Sequence, residues 1–202
     1  NFILNQGNKF EDKVMNYLSE ITSPGNIKQI SFSQADIPRV SKFQETIVEM
    51  QKGTPIIYQG VLHSQKDNTY GSPDLIVRHD FLNTLVSNTI TEEEINQASY
   101  QDHSSLGQYH YRIIDIKFHT LKLRADGTHL LNSGRMKANK GQIMIYNRII
   151  GQIQNYLPRY CYVMGRGFSF TKSNIDYSSD SCVDRLGRID IEKIDKQYNE
   201  QV

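Results

Sequence analysis

Cysteine is scarce in this chain. The 202 residues contain two cysteines, Cys161 and Cys182, and no CxxC pair. Neither a four-cysteine iron–sulfur cluster nor a structural zinc site can be built from them. One disulfide could still form, but so low a count favours a reducing compartment, and we therefore expect an intracellular protein of the cytoplasm or nucleus.

Long apolar runs are also absent from the sequence. No stretch approaches the roughly 20 apolar residues that a membrane helix needs. The first residues, NFILNQGNKF, lack the charged and apolar regions of a signal peptide. We therefore expect neither a membrane partner nor secretion. The chain does not begin with methionine, and we expect it to be part of a longer protein.

Charge is unevenly distributed along the chain. The formal net charge is +1, yet residues 112–166 contain ten Lys or Arg and only two acidic residues, Asp115 and Asp126. A basic surface around a chemical centre suits a polyanion such as nucleic acid. A solvated positive face explains the same count, so charge alone leaves both interpretations open.

Hydrophobic periodicity and turn residues predict alternating helices and strands. The order of these elements favours an α/β fold in which a central mixed sheet of about four to five strands is flanked by helices. ADGT is predicted to turn the longest strand into a hairpin with HLL, and the basic stretch NSGRMKANKG is predicted to be a loop. The predicted helices span 7–21, 41–51 and 141–157, and the predicted strands span 56–63, 74–77, 109–119 and 159–165.

Two of the predicted strands carry charges that buried strands rarely contain. Asp74 opens the strand of GSPDLIV, and Asp115 and Lys117 interrupt YRIIDIKFH. Asp115 and Lys117 share one face of their strand, and two carboxylates that converge from neighbouring strands need a cation or a proton between them. Oxygen ligands of this kind suit magnesium or manganese. Alternatively, Asp74 is a turn residue, and the other two lie on the surface of an edge strand.

Two predicted helices carry polar residues at positions that suit the same site. Glu11 lies at the border of the apolar face of the first helix, where it could reach a metal ion or simply be solvated. Gln142 and Tyr146 lie one turn apart on the otherwise apolar stripe of the long helix. A glutamine there needs a polar partner, whereas Tyr146 by itself also suits a core position.

Together these residues resemble the PD-(D/E)xK nuclease superfamily. SPD with Asp74 is similar to its first signature, DIK with Asp115 and Lys117 to its second, and GNKFE with Glu11 to the helix carboxylate that precedes them. The motifs are short, and their combination is more specific than any one of them.

The RecB-like branch of that superfamily is the nearer resemblance. QIMIY with Gln142 and Tyr146 is similar to its Q-x-x-x-Y element, and YVMGRG with Arg166 is similar to the strand that follows. The resemblance covers residues 7–168. The chain departs from many members of the branch because it lacks their histidine ligand near the first helix and cannot hold the iron–sulfur cluster of some relatives.

The resemblance implies a restriction-endonuclease-like core and a metal-dependent deoxyribonuclease, with exonuclease activity as the first expectation. Glu11, Asp74, Asp115 and the carbonyl of Ile116 would hold one or two Mg²⁺ or Mn²⁺ ions, and Lys117 would position the attacking water. Gln142 and Tyr146 would steady the lysine or contact the DNA. Six basic residues would contact single- or double-stranded DNA without reading its sequence. These are Lys122, Arg124, Arg135, Lys137, Lys140 and Arg166.

One nuclease domain is predicted to span residues 1–202. It would have a core over residues 7–168, an insertion over 79–108 in which TEEE opens a short helix, and a polar, weakly patterned segment over 171–202. Such domains are often parts of larger repair or replication proteins. Two other classes stay open: a nucleic-acid-binding module without turnover, and a structural or protein-interaction domain.

Overall fold

A computed structural model describes residues 2–96 and 106–200, in which one mixed sheet has helices on both faces. The helices are α1 (Phe2–Ile21), α2 (Val40–Lys52), α3 (Leu82–Leu85), α4 (Glu92–Ile95), α5 (Met136–Gln154) and α6 (Lys196–Glu200). The strands are β1 (Ile27–Gln29), β2 (Ile56–Tyr58), β3 (Leu62–Ser64), β4 (Thr69–Gly71), β5 (Leu75–Arg78), β6 (Tyr111–Lys122), β7 (Tyr160–Lys172), β8 (Ile175–Ser179) and β9 (Gly187–Asp190).

The large sheet has the strand order β1-β2-β5-β6-β7-β8, and β9 pairs with β7 in addition. The pairs β1–β2 and β6–β7 are parallel, and the others are antiparallel. This confirms the predicted α/β class, the mixed sheet and the flanking helices. The predicted size of four to five strands is wrong, because the sheet has seven.

Strand alternation divides the core into two apolar clusters, one on each face of the sheet. Leu75 of β5 belongs to the cluster that contains Val14 and Leu18 of α1, whereas its neighbour Ile76 belongs to the cluster beneath α2 and α5. Central strands that are buried on both faces need apolar residues at every position. Asp115 departs from this pattern, because β6 lies between β5 and β7 and the aspartate is buried; its alternative interpretation as an edge-strand surface residue is wrong.

Helix α5 begins five residues earlier than predicted. Residues 136–140, which were assigned to a basic loop, form its first turns, because lysine and alanine are good helix formers. The helix ends at Asn155, whose left-handed conformation (φ +53°) caps it. Arg135 therefore lies at the start of a helix, and Lys137 lies on its first turn.

The predicted strand over 56–63 is two strands. Gln59, with φ +48°, turns the chain between β2 and β3. The first half forms an antiparallel pair with β5, and Ile57 is opposite Ile76. Strand β3 instead pairs with β4 in a separate two-stranded sheet. The predicted ADGT hairpin is confirmed by a bridge between Leu123 and Leu130.

The segment after residue 171 is more regular than predicted. It contains β8, β9 and α6. Ile175 and Tyr177 of β8 alternate with polar residues, but both are exposed, so β8 is not a half-buried strand.

In the predicted insertion, Thr91 and Glu94 form the capping box of α4. Most of the loop predicted after α4 lies outside the described residues. Within the described ranges, none of the helices is both long and apolar enough to cross a membrane.

Candidate active site

Strand β6 carries Asp115 and Lys117 where its pairing with β7 becomes irregular. Asp115 lies opposite Val163 and Lys117 lies opposite Gly165, and the register then shifts before Thr120. Such bulges bend a strand and re-aim its side chains. A Cβ atom on Gly165 would lie 2.8 Å from the carbonyl oxygen of His119, so only glycine allows this close approach.

Asp74 reaches the same place from the start of β5. Its Oδ2 accepts a hydrogen bond of 2.6 Å from the backbone N–H of Ile116, and its side chain interacts with that of Asp115. Burial and the negative charges of Asp115 and Glu11 raise the pKa of Asp74 well above its ordinary value. The two aspartates converge, as the sequence predicted, and β5 and β6 are neighbours.

Asp115 forms an ion pair with Lys117. The distance from Lys117 Nζ to Asp115 Oδ2 is 2.6 Å, and the side chains are 27% and 4% exposed. Burial raises the pKa of Asp115, and the ammonium group of Lys117 opposes this shift. Burial lowers the pKa of Lys117, but Asp115 outweighs it, so this pKa is raised. Lys117 is therefore a cation that can attract phosphate or orient water, not a free base.

Glu11 is held by two side chains that the sequence analysis did not select. Its Oε1 accepts hydrogen bonds from the hydroxyl of Tyr58 at 2.8 Å and from the amide of Gln59 at 3.0 Å. The backbone N–H of Gln59 also donates to the carbonyl of Asp74 at 2.8 Å. Burial and the charge of Glu11 raise the pKa of Tyr58. Glu11 is thus fixed beside Asp74 and is not a freely solvated helix residue.

Gln142 and Tyr146 are bonded to each other. The amide of Gln142 donates to the Tyr146 hydroxyl at 2.9 Å. Gln142 itself is exposed, so the expectation that it faces the core is wrong. Tyr146 is buried, and burial together with the charges of Asp115 and Asp74 raises its pKa. The tyrosine lies near both carboxylates, and the glutamine is its neighbour on the solvent side.

A cleft of about 650 Å³ brings most of these residues together. Glu11, Asp74, Ile116 and Lys117 line it, while Asp115 is buried behind them. His119 also lines the cleft, and burial and the charge of Lys117 lower its pKa. The site is concave, and the acidic residues Glu11 and Asp74 are part of its lining.

The predicted DNA-binding residues do not share one environment. Lys122 and Arg135 line the cleft, and Arg124 lines a groove beside it. Arg166 is exposed, and its guanidinium lies over the ring of Phe118, 5.7 Å from the centroid. Lys137 is exposed on α5. These five remain on accessible surface.

Lys140 is the exception. It is fully buried, its Nζ lies 2.5 Å from Asp195 Oδ1, and it donates to the carbonyl of Leu130 at 2.9 Å. A phosphate cannot reach a fully buried ammonium group, so the assignment of Lys140 to the DNA-binding set is wrong. Its role is to join α5 to the C-terminal segment.

The donor set suits a hard divalent cation at the two aspartates. Asp115 Oδ2 is buried and lies 2.6 Å from Lys117 Nζ, although the geometry of this contact is not that of a normal hydrogen bond. In residues 2–96 and 106–200, no three His, Cys, Asp or Glu side chains form a group that could hold a metal ion. Magnesium commonly binds through only one or two carboxylates, completed by waters and substrate phosphates, and Asp74 and Asp115 supply that number.

Tyr58, Gln59 and His119 were missed by the sequence analysis for identifiable reasons. Tyr58 and Gln59 belong to IIYQGVLH, where aromatic and β-branched residues predict a continuous strand. The glutamine followed by glycine in that run was the available signal of an interruption. His119 ends the run YRIIDIKFH, and no partner for it could be predicted from spacing.

Comparison with known proteins adds no assignment. No protein-family model matches this chain, and no curated protein matches it.

Proposed function

We propose that this chain is a metal-dependent nuclease that hydrolyses phosphodiester bonds of DNA, with a restriction-endonuclease-like core and exonuclease activity. The observation that carries the proposal is the convergence of Asp74 and Asp115 beside the Lys117 ammonium in a cleft. A buried carboxylate pair is costly unless a proton or a cation neutralises it. A lysine at 2.6 Å offsets part of that cost.

Asp74 and Asp115 would hold Mg²⁺ or Mn²⁺, with Glu11 and the carbonyl of Ile116 as further oxygen donors. A bound cation of this kind lowers the pKa of coordinated water and offsets charge on a phosphate. The backbone N–H of Ile116 fixes one oxygen of Asp74, so this carboxylate is oriented before any ligand arrives. Tyr58 and Gln59 do the same for Glu11.

Lys117 would act on the phosphate group of the substrate. Its raised pKa keeps the ammonium group charged, and a fixed cation in a partly dry cleft stabilises charge that develops on phosphate oxygens. The buried hydroxyl of Tyr146 lies close enough to the aspartates for their charges to raise its pKa, so it supplies a neutral donor behind them. Gln142 would hold that hydroxyl in place.

A cleavage assay tests the proposal. Linear DNA labelled at one end and a circular single-stranded DNA are incubated with Mg²⁺, with Mn²⁺ and with EDTA. We expect the linear strand to be degraded with either metal and to survive in EDTA, and the circle to persist because it has no end. Cleavage that continues in EDTA would contradict the metal-dependent mechanism, and rapid cutting of the circle would make the enzyme an endonuclease.

A nucleic-acid-binding module without turnover is the second candidate. It is favoured by the position of Glu11, whose Oε1 is already bonded to Tyr58 and Gln59 and which forms no three-residue metal group with the aspartates in the described structure. This candidate expects DNA binding in EDTA with no cleavage in any divalent metal. Absence of DNA binding in either condition would favour a structural or protein-interaction domain instead.

A further inference from the structure

We propose that a second groove, beside the cleft, seats the continuing single strand of DNA whose scissile phosphate lies at Lys117. This inference rests on the proposed nuclease function and extends it to the substrate path. The groove has a volume of about 520 Å³ and lies against the hairpin of β7 and β8. The cleft and the groove share two lining residues, Lys122 and Leu131, so they form one continuous path.

Positive charge without acidic partners follows this path. Arg135 lines the cleft, Lys122 lies at the junction, and Arg124 lines the groove; all three are exposed. None of the three forms an ion pair with another described residue, in contrast to Arg78 and Arg159 elsewhere on the surface. Exposed cations without acidic partners suit a polyphosphate backbone.

The groove also offers hydroxyl groups and little negative charge. Ser169, Thr171 and Ser178 line it, and Lys122 Nζ donates to Ser169 Oγ at 3.1 Å. Among the described residues that line it, Asp176 is the one acidic residue, and this carboxylate already accepts a hydrogen bond of 2.6 Å from Thr171 Oγ1. Hydroxyl donors and cations together are the groups with which proteins hold phosphate and sugar.

Exposed apolar side chains on the same path favour an unpaired strand over a duplex. Phe118 is 40% exposed in the cleft, and Leu131 is 41% exposed at the junction. The faces of unpaired bases can lie on such side chains, whereas a duplex hides them in its stack. Arg166, which lies over Phe118, adds a cation beside that ring.

The length of the path sets how much of the strand it can hold. Arg124 lies seven residues beyond Lys117 in the sequence, which corresponds to at most about 23 Å of extended chain, and the bulge between Lys117 and Thr120 shortens this span. A span of that length holds at most about seven nucleotides at the 3.4 Å spacing of one strand in a duplex, and fewer for a stretched strand. Affinity for single-stranded oligonucleotides should therefore rise with length until the groove is filled, and then level off.

The test measures binding and small-substrate hydrolysis separately. Fluorescence anisotropy in EDTA gives the affinity of wild type, Arg124→Ala and the control Lys66→Ala for single-stranded oligonucleotides of increasing length. Lys66 is exposed on the turn between β3 and β4 and lines neither the cleft nor the groove. Hydrolysis of thymidine 5′-(p-nitrophenyl phosphate) with Mn²⁺ reports the catalytic centre alone, because this substrate is too short to reach the groove.

We expect Arg124→Ala to weaken binding of long single strands roughly fivefold and to make the slope of log affinity against log salt shallower by about 0.7, since one phosphate contact is lost. Its hydrolysis of the small ester and its affinity for the shortest oligonucleotides should equal those of wild type, and Lys66→Ala should match wild type throughout.

An unchanged affinity and salt slope for Arg124→Ala would contradict the proposal that the DNA strand lies in the groove. A duplex that binds as tightly, with the same loss in Arg124→Ala, would overturn the single-strand assignment. Failure of wild type to hydrolyse both the small ester and linear DNA would instead count against the proposed function. The binding measurement would still test the groove, because it needs no metal.

Discussion

At the scale of single residues, the pair of aspartates dominates the behaviour of the site. A carboxyl group whose pKa is raised by folding binds its proton more tightly in the folded than in the unfolded state, so ionising it costs stability. Asp74 is in this position because burial, Asp115 and Glu11 all oppose its charge. Asp115 differs, since Lys117 offsets part of the cost. Asp74 is therefore the better position for measuring the repulsion.

Asp74→Asn should raise the melting temperature of the metal-free protein at neutral pH. Asparagine cannot ionise, yet its carbonyl can still accept the hydrogen bond from Ile116. The gain should shrink as the pH falls and disappear below 3.8, the ordinary value for aspartate, because Asp74 is then neutral in both the folded and the unfolded protein. Thermal unfolding at several pH values measures this, with Asp180→Asn as the exposed control. A melting temperature that falls at neutral pH would mean that the charge of Asp74 stabilises the fold.

Tyr58→Phe should weaken Mn²⁺ binding about tenfold, as is typical when a group that orients a metal ligand is removed. Within the described chain, Glu11 Oε1 is bonded to Tyr58 and Gln59, which leaves Oε2 for a cation. Binding can be measured by the loss of the free-ion signal in electron paramagnetic resonance. Tyr70→Phe, on an exposed tyrosine, should leave the affinity unchanged. Equal affinities for Tyr58→Phe and wild type would show that the orientation of Glu11 does not matter to the metal.

The residues of this site could be predicted from the sequence to different degrees. Asp74, Asp115 and Lys117 were predictable because charges in apolar strands are rare and alternation fixes their faces. The donors that hold Glu11 were not, because Gln59 reaches it only through a left-handed backbone conformation that a β-rich sequence does not indicate. Burial of Lys140 could not be predicted either, since it depends on Asp195, 55 residues later.

At the scale of elements, α5 connects the site to the rest of the fold. Its Tyr146 packs against the end of β4, where a Cβ atom on Gly71 would lie 2.4 Å from the ring. Gly71 is three residues before Asp74, so this contact fixes the segment that delivers the carboxylate. The close packing of helix and segment requires a residue without a side chain.

Gly71→Ala should therefore lower the free energy of unfolding by about 1–3 kcal/mol, the usual cost of overpacking a filled site. Gly141→Ala, on α5 itself, is the control. A Cβ atom at this position would meet no other side chain or element within 4 Å. The control should raise stability by about 0.5–1 kcal/mol, since alanine loses less backbone entropy than glycine in a helix. Denaturant unfolding measures both variants, and a neutral Gly71→Ala would refute close packing of β4 on Tyr146.

The elements themselves were predictable where their apolar pattern is regular. Helix α2 and the long strand β6 were placed nearly correctly because one or both of their faces are buried. The start of α5 was misplaced because four of the first five residues of the helix are polar or small. Strand β8 was missed because its alternating pattern is short and contains only two apolar residues.

At the scale of the whole molecule, the basic residues of the segment 112–166 are of two kinds: some are exposed, and others are buried in ion pairs. Arg135 and Lys137 are exposed near the cleft, whereas Lys140 and Arg112 are buried in ion pairs. A count of charges along the chain therefore overstates the surface available to a polyanion. The sequence predicted that this surface is positively charged, but it could not distinguish the exposed cations from the buried ones.

Replacing Arg135 and Lys137 together by alanine should make the salt dependence of single-stranded DNA binding shallower by about 1.4 in the log–log slope, because two phosphate contacts are lost. The control is Lys66→Ala with Lys193→Ala, which removes the same charge from exposed positions outside the cleft. Titrations at several salt concentrations give the slopes. If both double variants show the same slope, the effect is one of net charge and not of a specific DNA path.

The most direct test of the central claim compares binding and cutting by Asp115→Asn. The substitution keeps size but removes a charge that divalent cations require, so single-turnover cleavage with Mn²⁺ should fall by roughly a hundredfold or more. Affinity for DNA in EDTA should hold or improve, because one negative charge near the phosphates is gone. Asp180→Asn, on an exposed residue, should cut at the wild-type rate. Cleavage by Asp115→Asn at that same rate would contradict the claim that Asp74, Asp115 and Lys117 form a metal-dependent nuclease centre.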